Sequence, residues 1–588
     1  MSVASIPVPV RLMGIDLRQA SPVSPSERAK AAAVVLNRYR IEYKNDWDIP
    51  PSIHHAETQI RRALERTVPI ELVIPAFPFK SSNRSKKVLG PLPDEAERLS
   101  LLHLNGLCRA MRDAAGAETF LTIVSDGITY NDILGVSDEE VWRYGQQLRR
   151  MAKLNGCDNI RFARICDLVD TKSEELTETL YLDRVSEYRR LLIAKTPPDF
   201  DVLEAIVNDP DISKTYKGYK KFLMGEREDR PNRSRSQTER ENGSIAKAMI
   251  LRGKAFAEAV RAKYTDSIRL SIHPSIDTNK VSIAMLPQDN DIVMTPWHGA
   301  VVRGADGRVA MTHAILVPAI THDIVYDEGR PSYFRERSDV LNWAGMDVTF
   351  EYLYPCGVVV RPAKETFVYP LASVDMDKVR TLALTCSPVV LRGFSDTQAD
   401  RTPVAEASGN VTPIISRTSG TSLLLLHNED IGPGSGQVYQ SLRDTPIFQY
   451  FKVPSQRHQL GTLFASSDLF ARYLPEAYNI KKLSKIKWTR RGPESVVSGI
   501  PLVVSHPTRH SMYICWRRPD EQVKVSIDNG SQNLVGLIDA LLLDPRVCLR
   551  FSWEEGDVLV TDKFSTLLLS GDSPIGTHHA EEPWKMVV

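Results

Sequence analysis

The sequence predicts an α/β domain built on a parallel sheet, followed by a mainly β domain. Three observations carry that prediction. Between residues 68 and 165, short apolar runs alternate with stretches of helical periodicity, an order that gives parallel pairing with right-handed crossovers. Beyond about residues 362–371, short apolar runs and turn residues dominate, as in an all-β sandwich. At 588 residues the chain exceeds what one ordinary core holds, so two or more domains are expected.

Taken in order, residues 1–25 read as a loose Pro/Ser-rich tail without the charged and apolar regions of a secretory signal. Helical spacing follows at 29–40 and 56–66, and 68–74 reads as a buried strand. Residues 94–116 form a helix with Leu104, Leu107, Cys108 and Met111 on one face and Gly116 as its stop. Residues 119–124 make a second strand, ended by Ser125, Asp126 and Gly127. Ser137 and Glu140 read as a capping box for a helix reaching about Lys153, and 160–165 is the third strand. The product is a Rossmann-like sheet, and open α/β sheets bind ligands at the carboxyl ends of their strands.

Residues 209–245 are dense in charge and predict an exposed loop or lid, followed by a helix over 245–263. Residues 267–273 then alternate strictly, placing Arg269, Ser271 and His273 on one face and Ile268, Leu270 and Ile272 on the other. Val281, Ile283 and Met285 alternate again after a short turn, which reads as a hairpin. A second histidine, His298, stands beside Trp297. An Arg and a His on one strand face with a Trp-His pair soon after mark a candidate site; hydrogen-bonded scaffolding is the alternative.

Composition narrows the class. The chain is 42% hydrophobic and 25% charged with a net charge of +1, which argues against a general nucleic-acid binder or a partner of anionic membranes. No apolar run reaches the roughly 18 residues of a membrane span. Seven cysteines are scattered with no CxxC pair and no metal-ligand spacing, so reduced thiols in a cytoplasmic protein are expected.

The most distinctive stretch follows the first strand. Lys80, Arg84, Lys86 and Lys87 fall within eight residues, interleaved with Ser81, Ser82, Asn83 and Ser85, and a helix begins soon after. Ammonium groups, backbone N–H groups and a helix dipole make an anion cradle there, the bland alternative being a solvated surface run.

The text of that stretch, PAFPFKSSNRSKKVLGPLPDEAERLSLLHLNGLC, resembles the isocyanide (isonitrile) synthases, the pyoverdine/dityrosine biosynthesis family. VSDGITYNDILGV, MILRGKAFA, IRLSIHPS and MTPWHGAVV extend the resemblance over roughly residues 30–360, so the synthase domain is set at 26–362. The resemblance implies conversion of an amino acid's amine, L-tyrosine being the expected substrate, to an isocyanide, with the carbon taken from C2 of ribulose 5-phosphate. It implies no metal or redox cofactor for that step. In this scheme Lys80, Ser81, Asn83, Arg84, Lys86 and Lys87 hold the sugar phosphate, and Arg269 clamps the amino-acid carboxylate beside Trp297. His273 and His298 move protons, Asp126 orients or deprotonates the amine, and Lys80 is counted with this catalytic group.

Further on, residues 387–394, 448–451, 461–467 and 556–562 resemble taurine-dioxygenase-like iron/2-oxoglutarate enzymes. That resemblance implies a double-stranded β-helix (jelly-roll) over 370–588, a fusion similar to fungal members of the synthase family. Fe(II) in such enzymes needs two histidines and a carboxylate. His427 and Glu429 supply two ligands, but Leu568 stands where the second histidine belongs and Lys585 where an arginine would hold 2-oxoglutarate. His578 and His579 lie nearby but off register. The expectation is a degenerate iron site, the alternatives being an active oxygenase and a packing or docking module. Small-molecule substrates are the expected partners, with downstream tailoring enzymes.

Overall fold

The computed structural model describes residues 24–41, 50–125, 127–169, 176–227, 234–274, 278–287, 294–364, 366–396, 448–452, 461–493, 496–509, 511–519, 523–528, 532–569 and 585–587. Two compact units divide the chain, one holding residues 23–304 and 308–336, the other residues 305–307 and 337–588. The change of unit comes earlier than 362 because the strands Val348–Tyr352 and Val358–Pro362 already join the second unit's large sheet. Of the expected tail, residues 1–23 fall outside the described residues, while Ser24 and Pro25 already open the first helix.

In the first unit, α1 (Pro25–Arg38) starts on a capping box, Ser24 accepting from the Glu27 N–H while Glu27 reaches back. After α2 (Pro51–Glu65), β1 (Ile70–Pro75) leads into the basic loop, and α3 (Glu95–Ala115) follows. Gly116 ends α3 with φ of 60°, a left-handed cap that glycine adopts without a Cβ clash. β2 (Thr119–Val124) is next, then α4 (Gly127–Leu134), a helix where the sequence promised only a turn. Then come α5 (Asp138–Leu154), β3 (Ile160–Ala163) and α6 (Ile165–Val169). Ser137 accepts from the Glu140 N–H at 3.3 Å, but the Glu140 carboxylate leaves the cap to meet Arg84 at 2.6 Å. The expected box is therefore half formed.

Where it is described, the charge-dense stretch is mostly helical, and residues 228–233 of the expected loop or lid lie outside the described residues. α7 (Glu178–Ile193) and α8 (Val202–Asn208) precede α9 (Pro210–Glu226), and α10 (Arg235–Lys263) carries the chain back to the sheet. Asp209 caps α9 and Ser234 caps α10, so polar residues read as loop signals are start signals. α9 buries Leu223 and Glu226, which charge density alone concealed.

β4 (Ile268–Ser271) and β5 (Lys280–Ser282) complete a five-stranded sheet in the order β3-β2-β1-β4-β5, every pair parallel. The hairpin expected for β4 and β5 is corrected: Arg269 faces Lys280 in a parallel register. Period-two alternation identifies strands but says nothing of their direction. Ile268 and Leu270 are buried as the alternation requires, while His273 lies past the end of β4. Val73, Val124, Ala163, Trp142, Met249 and Phe256 fill the core between sheet and helices. A four-stranded sheet over residues 300–336 closes the unit.

The second unit has six strands in one sheet, among them Val389–Leu391, Phe448–Lys452, Val558–Asp562 and Lys585–Val587, and further antiparallel sheets including Gly461–Ser466 and Thr566–Leu569. Two of the motifs seen in the sequence meet there: the Arg392 guanidinium forks onto the buried Asp557 carboxylate at 2.8 and 2.7 Å. None of the seven cysteines is in a disulfide. No helix among the described residues is long and apolar enough to cross a membrane.

Candidate active site

The basic loop leaves β1 at the carboxyl edge of the sheet. Phe77 takes φ of 56°, turning the chain sharply, and its ring packs edge-on against Trp297 at 5.2 Å. Trp297 is buried, and its carbonyl accepts the Ser81 N–H at 2.9 Å. Gly127, opening α4, sits so close that a Cβ would lie 2.7 Å from the Pro78 carbonyl oxygen and 2.5 Å from Val141. Only glycine lets that helix start beside the loop.

Lys80 turns inward instead of toward a ligand. Its ammonium lies 2.8 Å from Asp94 and 2.8 Å from Glu97, and donates to the Pro296 carbonyl at 3.1 Å, with the side chain wholly buried. All three protons thus have partners inside the protein. Asp94 also caps α3 through Ala96, and Glu97 accepts from the Asp94 N–H and from the Tyr144 hydroxyl. Burial pushes the Asp94 carboxyl up to about 8, with Glu97 adding repulsion against the pull of Lys80. Burial would lower Lys80, but Asp94 and Glu97 hold it above its usual value. Burial thus favours the protonated form of the Asp94 carboxyl. In this arrangement Lys80 ties the loop to the start of α3.

The centre of the site is a residue the sequence did not single out. Glu226, the last residue of α9, is buried and accepts from the Ser81 hydroxyl at 2.9 and 2.7 Å and from the Ser82 hydroxyl at 3.1 Å. Lys87 donates to it at 2.7 Å while its ammonium stands 5.4 Å from the Phe222 ring. Asn83 anchors the same turn by donating to the Gly225 carbonyl at 2.8 Å. Burial would raise the Glu226 carboxyl, yet His298, Lys87 and Ser81 hold it below its ordinary value. The signal available in the sequence was Phe222 and Leu223 one turn earlier, an apolar face ending in an acid.

His298 completes the cluster. Its Nδ1 is 3.8 Å from the Glu226 carboxylate and has no hydrogen-bond partner among the described residues. Burial pushes the imidazole down to about 4; Glu226 opposes this, and the charges of Lys87, His273 and Lys80 reinforce it. The side chain keeps 31% of its surface, which relieves part of that desolvation, so the downward direction is what burial supports. Because the unfolded ring binds its proton near 6.5 and the folded ring only near 4, the unfolded chain holds more protons between these values. Folding stability is expected to fall as pH drops through that window, and less steeply in His298→Gln. Equal slopes in denaturant titrations of the two proteins would show that the ring is not desolvated.

The other expected residues scatter. Arg84 is exposed and paired with Glu140 at 2.6 Å, and Lys86 is half-buried. Arg269 is half-buried on β4 and donates to the Asn279 carbonyl at 3.4 Å. His273 is exposed; burial of its ring and Lys280 lower its pKa, which the exposure tempers. Asp126, His427, Glu429, His578 and His579 lie outside the described residues.

The model of the pyoverdine/dityrosine biosynthesis protein family matches residues 60–325. The isocyanide synthase xanB of Aspergillus fumigatus is 35% identical, covering 96% of this chain and 81% of its own length. The L-tryptophan isonitrile synthase AmbI2 of Fischerella ambigua is 30% identical over 49% of this chain and 86% of its own. An L-tyrosine isonitrile synthase of Pseudomonas aeruginosa is 32% identical over 47% of this chain and 82% of its own. With Glu226, Lys87 and His298 gathered at a sheet edge inside the matched region, the chain is an enzyme of the isocyanide synthase family.

Proposed function

We propose that this chain converts the α-amine of L-tyrosine to an isocyanide, with C2 of ribulose 5-phosphate as carbon source. The observation that carries the reading is Glu226, a buried carboxylate gathering Lys87, Ser81 and Ser82 and facing a neutral imidazole with an unpartnered nitrogen. A neutral His298 can take the proton that the amine sheds as its lone pair forms the bond to the ketone carbon. The ketone oxygen leaves as water, giving the imine, and Glu226 stabilises the imidazolium made on the way. As cations of the basic loop, Arg84 and Lys86 suit the phosphate, and Arg269 suits the carboxylate. His273, close enough for its charge to depress His298, and Asp126 are the remaining candidates for proton transfer.

An aromatic amino acid is favoured because relatives carry the names of tyrosine and tryptophan isonitrile synthases. The parallel strand order supports a Rossmann-like first unit, and the packed sheets support a jelly-roll second unit. For that second unit the reading is a degenerate iron site, since leucine at 568 offers no donor atom for a facial triad, and no step runs through iron or 2-oxoglutarate. The test is direct: the full chain, with L-tyrosine and ribulose 5-phosphate in the presence of a metal chelator, is expected to yield an isocyanide trapped by a tetrazine. L-tryptophan replacing tyrosine as the better substrate would correct the side chain. No isocyanide with any proteinogenic amino acid would overturn the reaction.

A further inference from the structure

Two arginines on the same sheet edge have no task in the reaction as described. Arg164 directly follows β3 at its carboxyl end, two strands and so about 10 Å from β1 in the sheet. It is only 6% exposed, with its guanidinium carbon 4.3 Å from the Trp142 ring and 5.2 Å from the Tyr181 ring. Its Nη2 is buried and meets no acceptor among the described residues. The Asp167 carboxylate, whose charge acts on both arginines, accepts from the Arg164 backbone N–H at 2.7 Å and forms no ion pair with the guanidinium among the described residues.

Arg149 of α5 comes to the same spot. Its guanidinium stands over the Phe162 ring at 5.2 Å, and Nη1 donates to the Gly145 carbonyl at 2.8 Å. The two groups converge over Gly145, where a Cβ would lie 3.2 Å from Arg149 Nη1 and 3.2 Å from both Nη atoms of Arg164. Burial and the neighbouring Arg164 charge bring Arg149 down to about 10. Two desolvated like charges, one with an unmet donor, cost free energy unless an anion joins them. Aromatic faces soften that cost without removing it.

We propose that Arg149 and Arg164 form an oxyanion subsite that takes the phosphate or carboxylate of a small substrate. A planar guanidinium pair matches the oxygen geometry of both groups. The proposal rests on the proposed reaction only for the identity of those anions, the ribulose 5-phosphate phosphate and the amino-acid carboxylate.

Calorimetric titration of the full chain with inorganic phosphate, ribulose 5-phosphate and L-tyrosine, each alone, tests it. At least one anion is expected to bind, and Arg164→Met and Arg149→Met should each weaken it by about tenfold or more. Gly145→Ala, which puts a methyl between the guanidinium groups, should act in the same direction. Loss confined to the two phosphate arms assigns phosphate; loss confined to tyrosine assigns carboxylate. If Arg164→Met fails to fold, Arg149→Met and Arg164→Lys decide the matter. Wild-type affinity in both Arg149→Met and the folded Arg164 variant, or no binding to the wild type, overturns the subsite even if isocyanide is made. Arginine-dependent binding without isocyanide leaves the subsite standing and removes the reaction.

Discussion

Glu226→Gln is expected to lower turnover by about a hundredfold or more, the range lost when a proton-transfer pair is broken. The carboxylate does two things at once: it neutralises Lys87 at 2.7 Å and faces His298 at 3.8 Å. A neutral amide keeps the hydrogen bonds from Ser81 and Ser82 but gives nothing to an imidazolium. It also leaves the Lys87 ammonium buried without its counter-charge, so some stability will be lost as well. The two effects separate experimentally. Glu226 raises His298 against its burial, so its removal should move the acid limb of the turnover profile to still lower pH. A merely structural role would lower the melting temperature and leave that limb in place. Glu226→Gln combined with Lys87→Met should regain stability without regaining turnover, whereas Glu226→Asp should restore part of the rate. Wild-type turnover per folded molecule in Glu226→Gln would remove the residue from the chemistry.

Much of the frame was legible before any coordinate. Residues 119–124 match β2 at both ends, because an apolar run between Ala117 and a Ser-Asp-Gly turn has one extended solution. The parallel order of β1, β2 and β3 followed from the helices between them, and with it the carboxyl edge at which the basic loop leaves β1. What failed was any inference needing to know which charges meet. Lys80 and Lys87 look alike in the sequence, yet one is spent on Asp94 and Glu97 and the other on Glu226, 139 positions downstream. Burial of a charge depends on a partner supplied by tertiary structure, and no local pattern names that partner. The same limit hid the pairing of Arg149 with Arg164, and made α9 and the first turns of α10 look like solvated chain.

The second large effect expected is on folding: Lys80→Met should destabilise the first unit by about 3–5 kcal/mol, the usual cost of removing one partner from a buried ion pair. Methionine matches the length of the lysine stem but leaves Asp94, Glu97 and the Pro296 carbonyl facing an apolar tip. Those groups join the basic loop to the first turn of α3 and to the turn before Trp297, so all three segments should loosen together. Adding Asp94→Asn and Glu97→Gln to Lys80→Met should recover much of the loss, since amides can meet the remaining donors without charge. Asp94 adds a pH signature. Its carboxyl is raised from 3.8 to about 8 in the folded chain, so folding takes up a proton between those values. The stability it contributes is present below about 4 and is lost as pH rises toward 8, a slope that Asp94→Asn should flatten. Chemical denaturation followed by near-UV circular dichroism reads both effects. A Lys80→Met protein that unfolds like the wild type but binds ribulose 5-phosphate more weakly would return Lys80 to the phosphate, and the buried trio would then have no structural role.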